Sequence, residues 1–147
     1  MLDDESMIRD AMKQLLEHCG CEVEAFDNGP AALARLAEHS FDLVITDFSM
    51  PGMPGDQFVA RVRDRWPNQR IIMATAFVEE YKVFGQPAAA VDGLLYKPFT
   101  FKNLRDVIDE VLAREIVVEE PSSMPSLTEG AEGEAPPFIP PPNPDGR

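Results

Sequence analysis

Residues 41–55 read Phe-Asp-Leu-Val-Ile-Thr-Asp-Phe-Ser-Met-Pro-Gly-Met-Pro-Gly, and this stretch decides the fold. Its apolar run over 41–46 lacks the polar alternation of a half-exposed strand, which predicts a strand buried on both faces. The run stops at a charge, Asp47, and then breaks into a loop rich in Gly and Pro. Strands covered on both sides belong to parallel sheets, and parallel neighbours are joined by crossover helices.

Outward from that strand the same alternation continues. Residues 56–66 carry Phe58, Val59, Val62 and Trp66 on one helical face, and Pro67 stops the helix. Strands are predicted over 70–74 and 92–96. Between them a helix is expected over 78–91, interrupted by Gly85 and Pro87. Thr100 can cap a last helix whose buried stripe is Phe101, Leu104, Val107, Ile108, Val111 and Leu112. Backwards, Pro30 suits the first turn of a helix over 31–39, after the turn Asp27-Asn28-Gly29 and a strand over 21–26. The first helix is expected over 6–19, with Ser6 as its cap and Gly20 as its terminator. Strands separated by single helices give right-handed crossovers and an α/β, doubly wound parallel sheet. Ligands of such sheets bind at the carboxyl ends of the strands.

Composition narrows the function classes. The chain of 147 residues has 26 Asp+Glu against 13 Lys+Arg, a net charge of −13, and no evident basic cluster in the sequence. That argues against direct nucleic-acid binding. No apolar run approaches the roughly 20 residues that cross a bilayer. No basic and apolar leader follows Met1, so no membrane association and a cytoplasmic location are expected. Cys19 and Cys21 read as small apolar residues at a helix end and a strand start, because His18 and His39 are isolated from each other. From residue 119 onward the chain holds eight of its fourteen prolines and a net charge of −5. Residues 119–147 are therefore expected to be an acidic, Pro-rich, disordered tail behind a domain over 1–118. Phe138-Ile139, flanked by prolines, is read as part of that tail.

The polar groups that interrupt the apolar pattern fall at one edge of the predicted sheet. They are Asp3-Asp4-Glu5 before the first helix, Asp47, Thr75, and Lys97-Pro98. Carboxylates brought together there repel unless cations stand among them. Hard oxygen donors favour Mg²⁺, and Lys97 supplies a second positive charge. A carboxylate beside a divalent ion, an ammonium and a hydroxyl has the parts for accepting a phosphoryl group. Gly52 and Gly55 are expected to provide unusual backbone angles, and Met50 and Met53 to pack.

Taken in order, Asp3-Asp4-Glu5, residues 42–55, Thr75-Ala76 and Lys97-Pro98-Phe99 resemble the receiver domain of bacterial two-component response regulators, of the chemotaxis-regulator kind. The resemblance implies a flavodoxin-like strand order 2-1-3-4-5. It implies that Asp47 accepts a phosphoryl group from a sensor histidine kinase or phosphotransfer protein. Asp4 and Asp47 would ligate Mg²⁺ with the backbone carbonyl of Ser49, and Asp3 would act through bound water. Lys97 would pair with Asp47, the Lys97-Pro98 bond would be cis, and Thr75 would be the switch hydroxyl that changes binding to a downstream protein. Self-catalysed phosphorylation and dephosphorylation follow, without conventional enzyme activity.

Three departures stand out. Only Met1 and Leu2 precede the acidic pair where the family has a buried central strand, so the first strand is expected to be largely missing and its neighbours poorly paired. A start displaced from the natural one is the favoured explanation. Leu94 stands three residues before Lys97 where the family has an aromatic residue, and Tyr96 is expected to point to the opposite face. Gly85-Gln86-Pro87 disturbs the fourth helix of the family. The first and second departures keep an alternative open, a non-phosphorylated receiver-like interaction module. A phosphohydrolase of the Asp-x-Asp type is disfavoured by Ser49 at the second Asp. Residues 119–147 carry no helix-turn-helix pattern, so the chain reads as a single-domain relay or a fragment of a larger regulator.

Overall fold

The computed structural model describes residues 1–76, 79 and 91–114. Three parallel strands, β1 (Val44–Asp47), β2 (Ile71–Thr75) and β3 (Gly93–Tyr96), pair in that spatial order. Successive residues feed opposite faces, so Val44, Ile71 and Met73 enter one core while Ile45, Ile72 and Ala74 enter the other. This two-sided burial explains the unbroken apolar reading. β1 starts at Val44 rather than 41 because its ladder begins where Val44 N donates to the Arg70 carbonyl, at 2.9 Å.

On the other side of β1 the chain start fills the central-strand position with a stub. Leu2 bridges Thr46 on one flank and Phe26 on the other, both parallel. Leu2 N donates to Ile45 O at 2.8 Å, Asp47 N to Leu2 O at 2.9 Å, and Phe26 N to Met1 O at 2.9 Å. The order Phe26, Leu2, β1, β2, β3 is the flavodoxin-like 2-1-3-4-5. The strand expected over 21–26 is reduced to Phe26, since Met1 to Asp3 offer so little backbone to pair with.

Helices cover both faces. The core containing Leu2, Met50 and Met53 receives Ala32 and Leu36 from α2 (Gly29–Glu38) and Phe58, Val59 and Val62 from α3 (Gly55–Arg65). The opposite core receives Met12 and Leu16 from α1 (Ser6–His18), and Leu104 and Val111 from α4 (Phe101–Ala113). Phe58 has no exposed surface, and truncating a phenylalanine so placed costs about 3–5 kcal/mol.

The helix ends correct and support the sequence reading. Ser6 does not cap α1; it is already helical, the N-cap is Glu5, and Asp3 Oδ1 accepts from Glu5 N at 2.9 Å. Gly20 terminates α1 as expected, at φ +84°, with Gly20 N to Glu17 O at 2.9 Å and Cys21 N to Leu16 O at 3.1 Å. Cys19 and Cys21 there are exposed and unbonded, at a helix end but not at a strand start. Thr100 and Asn103 form a reciprocal capping box on α4. The α4 stripe is narrower than expected, because Phe101 and Leu112 stay more than a third exposed. The helix expected over 78–91 and the tail over 119–147 lie outside the described residues, Glu79 and Val91 apart.

Candidate functional site

The strand ends deliver the site. The hydrogen bond from Asp47 N to Leu2 O sets Asp47, last residue of β1, beside Asp3. Thr75 ends β2, and its carbonyl accepts Lys97 N at 2.9 Å, which brings the end of β3 to the same rim. Lys97 Nζ donates to Asp47 Oδ1 at 2.9 Å and to Asp3 Oδ2 at 3.0 Å. Carboxylate oxygens of Asp3, Asp4 and Asp47 all lie within 4.8 Å of one another. The expected rim cluster of Asp3, Asp4, Asp47 and Lys97 is therefore assembled. Thr75 is buried at its edge and Ser49 is exposed in the loop after β1. The Lys97–Pro98 peptide is cis.

Three carboxylates around one ammonium leave a local excess of two negative charges. Two such charges about 5 Å apart repel by about 3 kcal/mol at an effective dielectric constant of about 20. Burial pushes the Asp47 carboxyl above its ordinary pKa; Lys97 pulls the other way, and Asp3 and Asp4 add to the rise. Burial works against the Lys97 ammonium, yet its hydrogen bonds to Asp47 and Asp3 outweigh that and hold its pKa above the usual lysine value. The donors are hard oxygens on a partly open rim with negative charge uncompensated, which is the donor set that suits Mg²⁺. Both Asp3 oxygens already accept hydrogen bonds, from Glu5 N and Lys97. Asp47 Oδ2 takes none from the described residues.

Two supports were not apparent from the sequence. Arg9 NH1, one turn into α1, donates to the Asp3 carbonyl at 2.9 Å and braces the acidic pair. Arg9 falls within the helix expected over 6–19, and nothing in that pattern names a partner for it. Gly55 does not have the unusual angle expected of it; Gly52 does, at φ +79°. Gly55 is required because a Cβ would collide with the Asp47 carbonyl oxygen and stand 2.8 Å from Phe48 Cα. Met50 and Met53 pack in the core as expected. Leu94 is partly buried against the core of α2 and α3. Tyr96 lies two residues further along β3, so strand alternation puts it on Leu94's side and not on the opposite face, where it is 47% exposed.

The family model of the response regulator receiver domain matches residues 1–109. The chain belongs to the response regulator receiver family. Among curated relatives, chemotaxis protein CheY-3 of Vibrio cholerae is 32% identical over 117 residues, covering 78% of this chain and 90% of the relative. Chemotaxis protein CheY of Pseudomonas aeruginosa is 33% identical over 117 residues, covering 78% and 94%. The crystal structure of CheY4 of Vibrio cholerae superposes with a TM-score of 0.69 at 33% identity, over 75% of this chain and 93% of that one. Response regulator TrrA of Thermotoga maritima, solved in complex with Mg(2+)-BeF, gives 0.68 at 30% identity, over 75% and 94%. This receiver is thus a component of two-component phosphorelay signalling. Receivers bind Mg²⁺ at their acidic pocket and interact with histidine kinases or phosphotransfer proteins and with downstream targets. Among the described residues no helix is long and apolar enough to cross a membrane.

Proposed function

We propose that Asp47 is the phosphoryl acceptor of this receiver, with residues 1–118 carrying the function and 119–147 forming an appended tail. The observation that carries the reading is Lys97 held between Asp47 and Asp3 inside a three-carboxylate cluster. With Oδ1 occupied by Lys97, Oδ2 of Asp47 is the oxygen available to form the new P–O bond as the donor's P–N bond breaks. Asp47 and Asp4, with the Ser49 carbonyl, would hold Mg²⁺, and Asp3 would reach it through water because its own oxygens are engaged. Bound there, Mg²⁺ supplies charge neutralisation for the incoming phosphoryl oxygens. Lys97 keeps its ammonium charged and moves its hydrogen bond from Asp47 to a phosphoryl oxygen. Thr75, on the rim at the end of β2, turns its hydroxyl to the same group and draws its loop with it, shifting an existing equilibrium between two binding surfaces. A sensor histidine kinase or phosphotransfer protein is the donor, and the setting is cytoplasmic.

Intact mass after incubation with phosphoramidate tests this. One phosphoryl group is expected with Mg²⁺ and none with a chelator. Failure to gain mass with Mg²⁺ present, in protein that is folded, leaves the non-phosphorylated interaction module, which Leu94 in place of an aromatic favours.

A further inference from the structure

We propose that the cleft at the amino-terminal rim of the sheet docks an acidic peptide segment of a partner protein, one that carries an apolar or aromatic side chain. The cleft, of about 430 Å³, lies between the end of α3 and the residues leading into β1 and β2, lined by Phe41, Asp42, Arg65, Trp66, Gln69 and Arg70 among others. Its apolar part is Phe41 and Trp66, which pack their inner sides on the core and remain partly exposed. A partner side chain could bury there what these two rings leave open.

Charge selects the partner. In a chain of net −13, cations are mostly committed: Arg35, Arg63 and Arg114, for example, are ion-paired with carboxylates. Arg65 and Arg70 have no carboxylate partner among the described residues. Arg65 stands over the Trp66 ring at 5.0 Å, and Arg70 donates to the Arg114 carbonyl at 3.0 Å. Two arginines and two aromatic rings line the cleft with a single carboxylate, Asp42, and that set suits an acidic segment with one apolar anchor. A nucleic acid would meet repulsion from the rest of an acidic chain, and the lining of the cleft offers two cations, Arg65 and Arg70, against its phosphates. Asp42 lies two residues before β1 and Asp47 ends it, so the cleft and the acidic cluster stand at opposite ends of one strand.

A fluorescein-labelled peptide of glutamates around one phenylalanine tests the proposal by anisotropy, with the full chain as receptor. Saturable binding is expected that falls about tenfold in Arg65→Glu and further in Arg65→Glu/Arg70→Glu, and that weakens as salt rises. The unlabelled peptide should also change the emission of Trp66, the only tryptophan. Arg65 is exposed and off the phosphoryl site, so unchanged far-UV circular dichroism and unchanged phosphoryl incorporation serve as folding controls. Equal binding by Arg65→Glu, equal binding of a lysine-for-glutamate peptide, indifference to loss of the phenylalanine, or tighter binding of a single-stranded oligonucleotide would each overturn it.

Discussion

Both rims of the sheet carry an aspartate held by a cation, but they use charge differently. At the amino rim, Asp92 Oδ2 accepts from Arg63 NH2 at 2.8 Å and from Ile71 N at 2.7 Å, while Arg63 also donates to the carbonyls of Pro67 and Gln69. Among the described residues Asp92 is matched by Arg63, which also reaches two backbone carbonyls, so the pair braces α3 to β2 and β3. At the carboxyl rim one ammonium serves three carboxylates, and an Asp47 oxygen is left over. A balanced pair consolidates a fold; an excess of buried charge marks a place waiting for a ligand.

The largest contrast concerns phosphorylation itself. Asp47→Asn is expected to abolish phosphoryl incorporation, and Asp92→Asn to leave it intact, read as intact mass under identical Mg²⁺ and phosphodonor. Loss in both variants would erase the distinction between the rims. Next comes stability without metal. Lys97→Met leaves Asp3 and Asp47 buried together with no cation, which should cost about 3 kcal/mol in urea unfolding. Added Mg²⁺ should restore part of that by binding only the folded form. An unfolding curve indifferent to both Lys97 and Mg²⁺ would mean that the carboxylates are not forced together.

Smaller effects sharpen the same comparison. Arg63→Ala should cost only about 1 kcal/mol, since its pair with Asp92 is partly solvent-exposed, and its effect should not depend on Mg²⁺. A Mg²⁺-dependent effect would tie the brace to the site. The smallest is a pH effect. Asp47's carboxyl is raised, first by burial, so the folded chain binds a proton there at higher pH than the unfolded chain does. Its ionisation therefore costs stability above the folded pKa and nothing below the unfolded one. Without Mg²⁺, Asp47→Asn should be the more stable form at neutral pH, with the gap closing on acidification; a gap that widens contradicts the sign.

Much of this is legible in the amino-acid sequence. The unbroken apolar run into Asp47 announced a strand buried on both sides, and Thr75 and Lys97 at the next strand ends announced a shared rim, because alternation and topology are local patterns with global consequences. Ser6 misled because a serine before a helix is a good cap only if its backbone is still extended, and that depends on how Asp3 ties down Glu5 N. The strand at 21–26 failed because its existence depends on a neighbour supplied by other residues. Gly55's need is a distance to the Asp47 carbonyl, which no spacing reveals. Arg65 and Arg70 look alike in sequence to the paired Arg63, and only the folded contacts separate them.

The most direct measurement is chemical mapping of the phosphoryl linkage. Borohydride reduces an aspartyl phosphate to homoserine, so the Mg²⁺-phosphorylated chain, reduced and then mapped by peptide mass spectrometry, should show homoserine at position 47 and at no other aspartate. Homoserine at Asp3 or Asp4, or a phosphoryl group on another residue type with Asp47 unchanged, would contradict the assignment of the carboxyl rim.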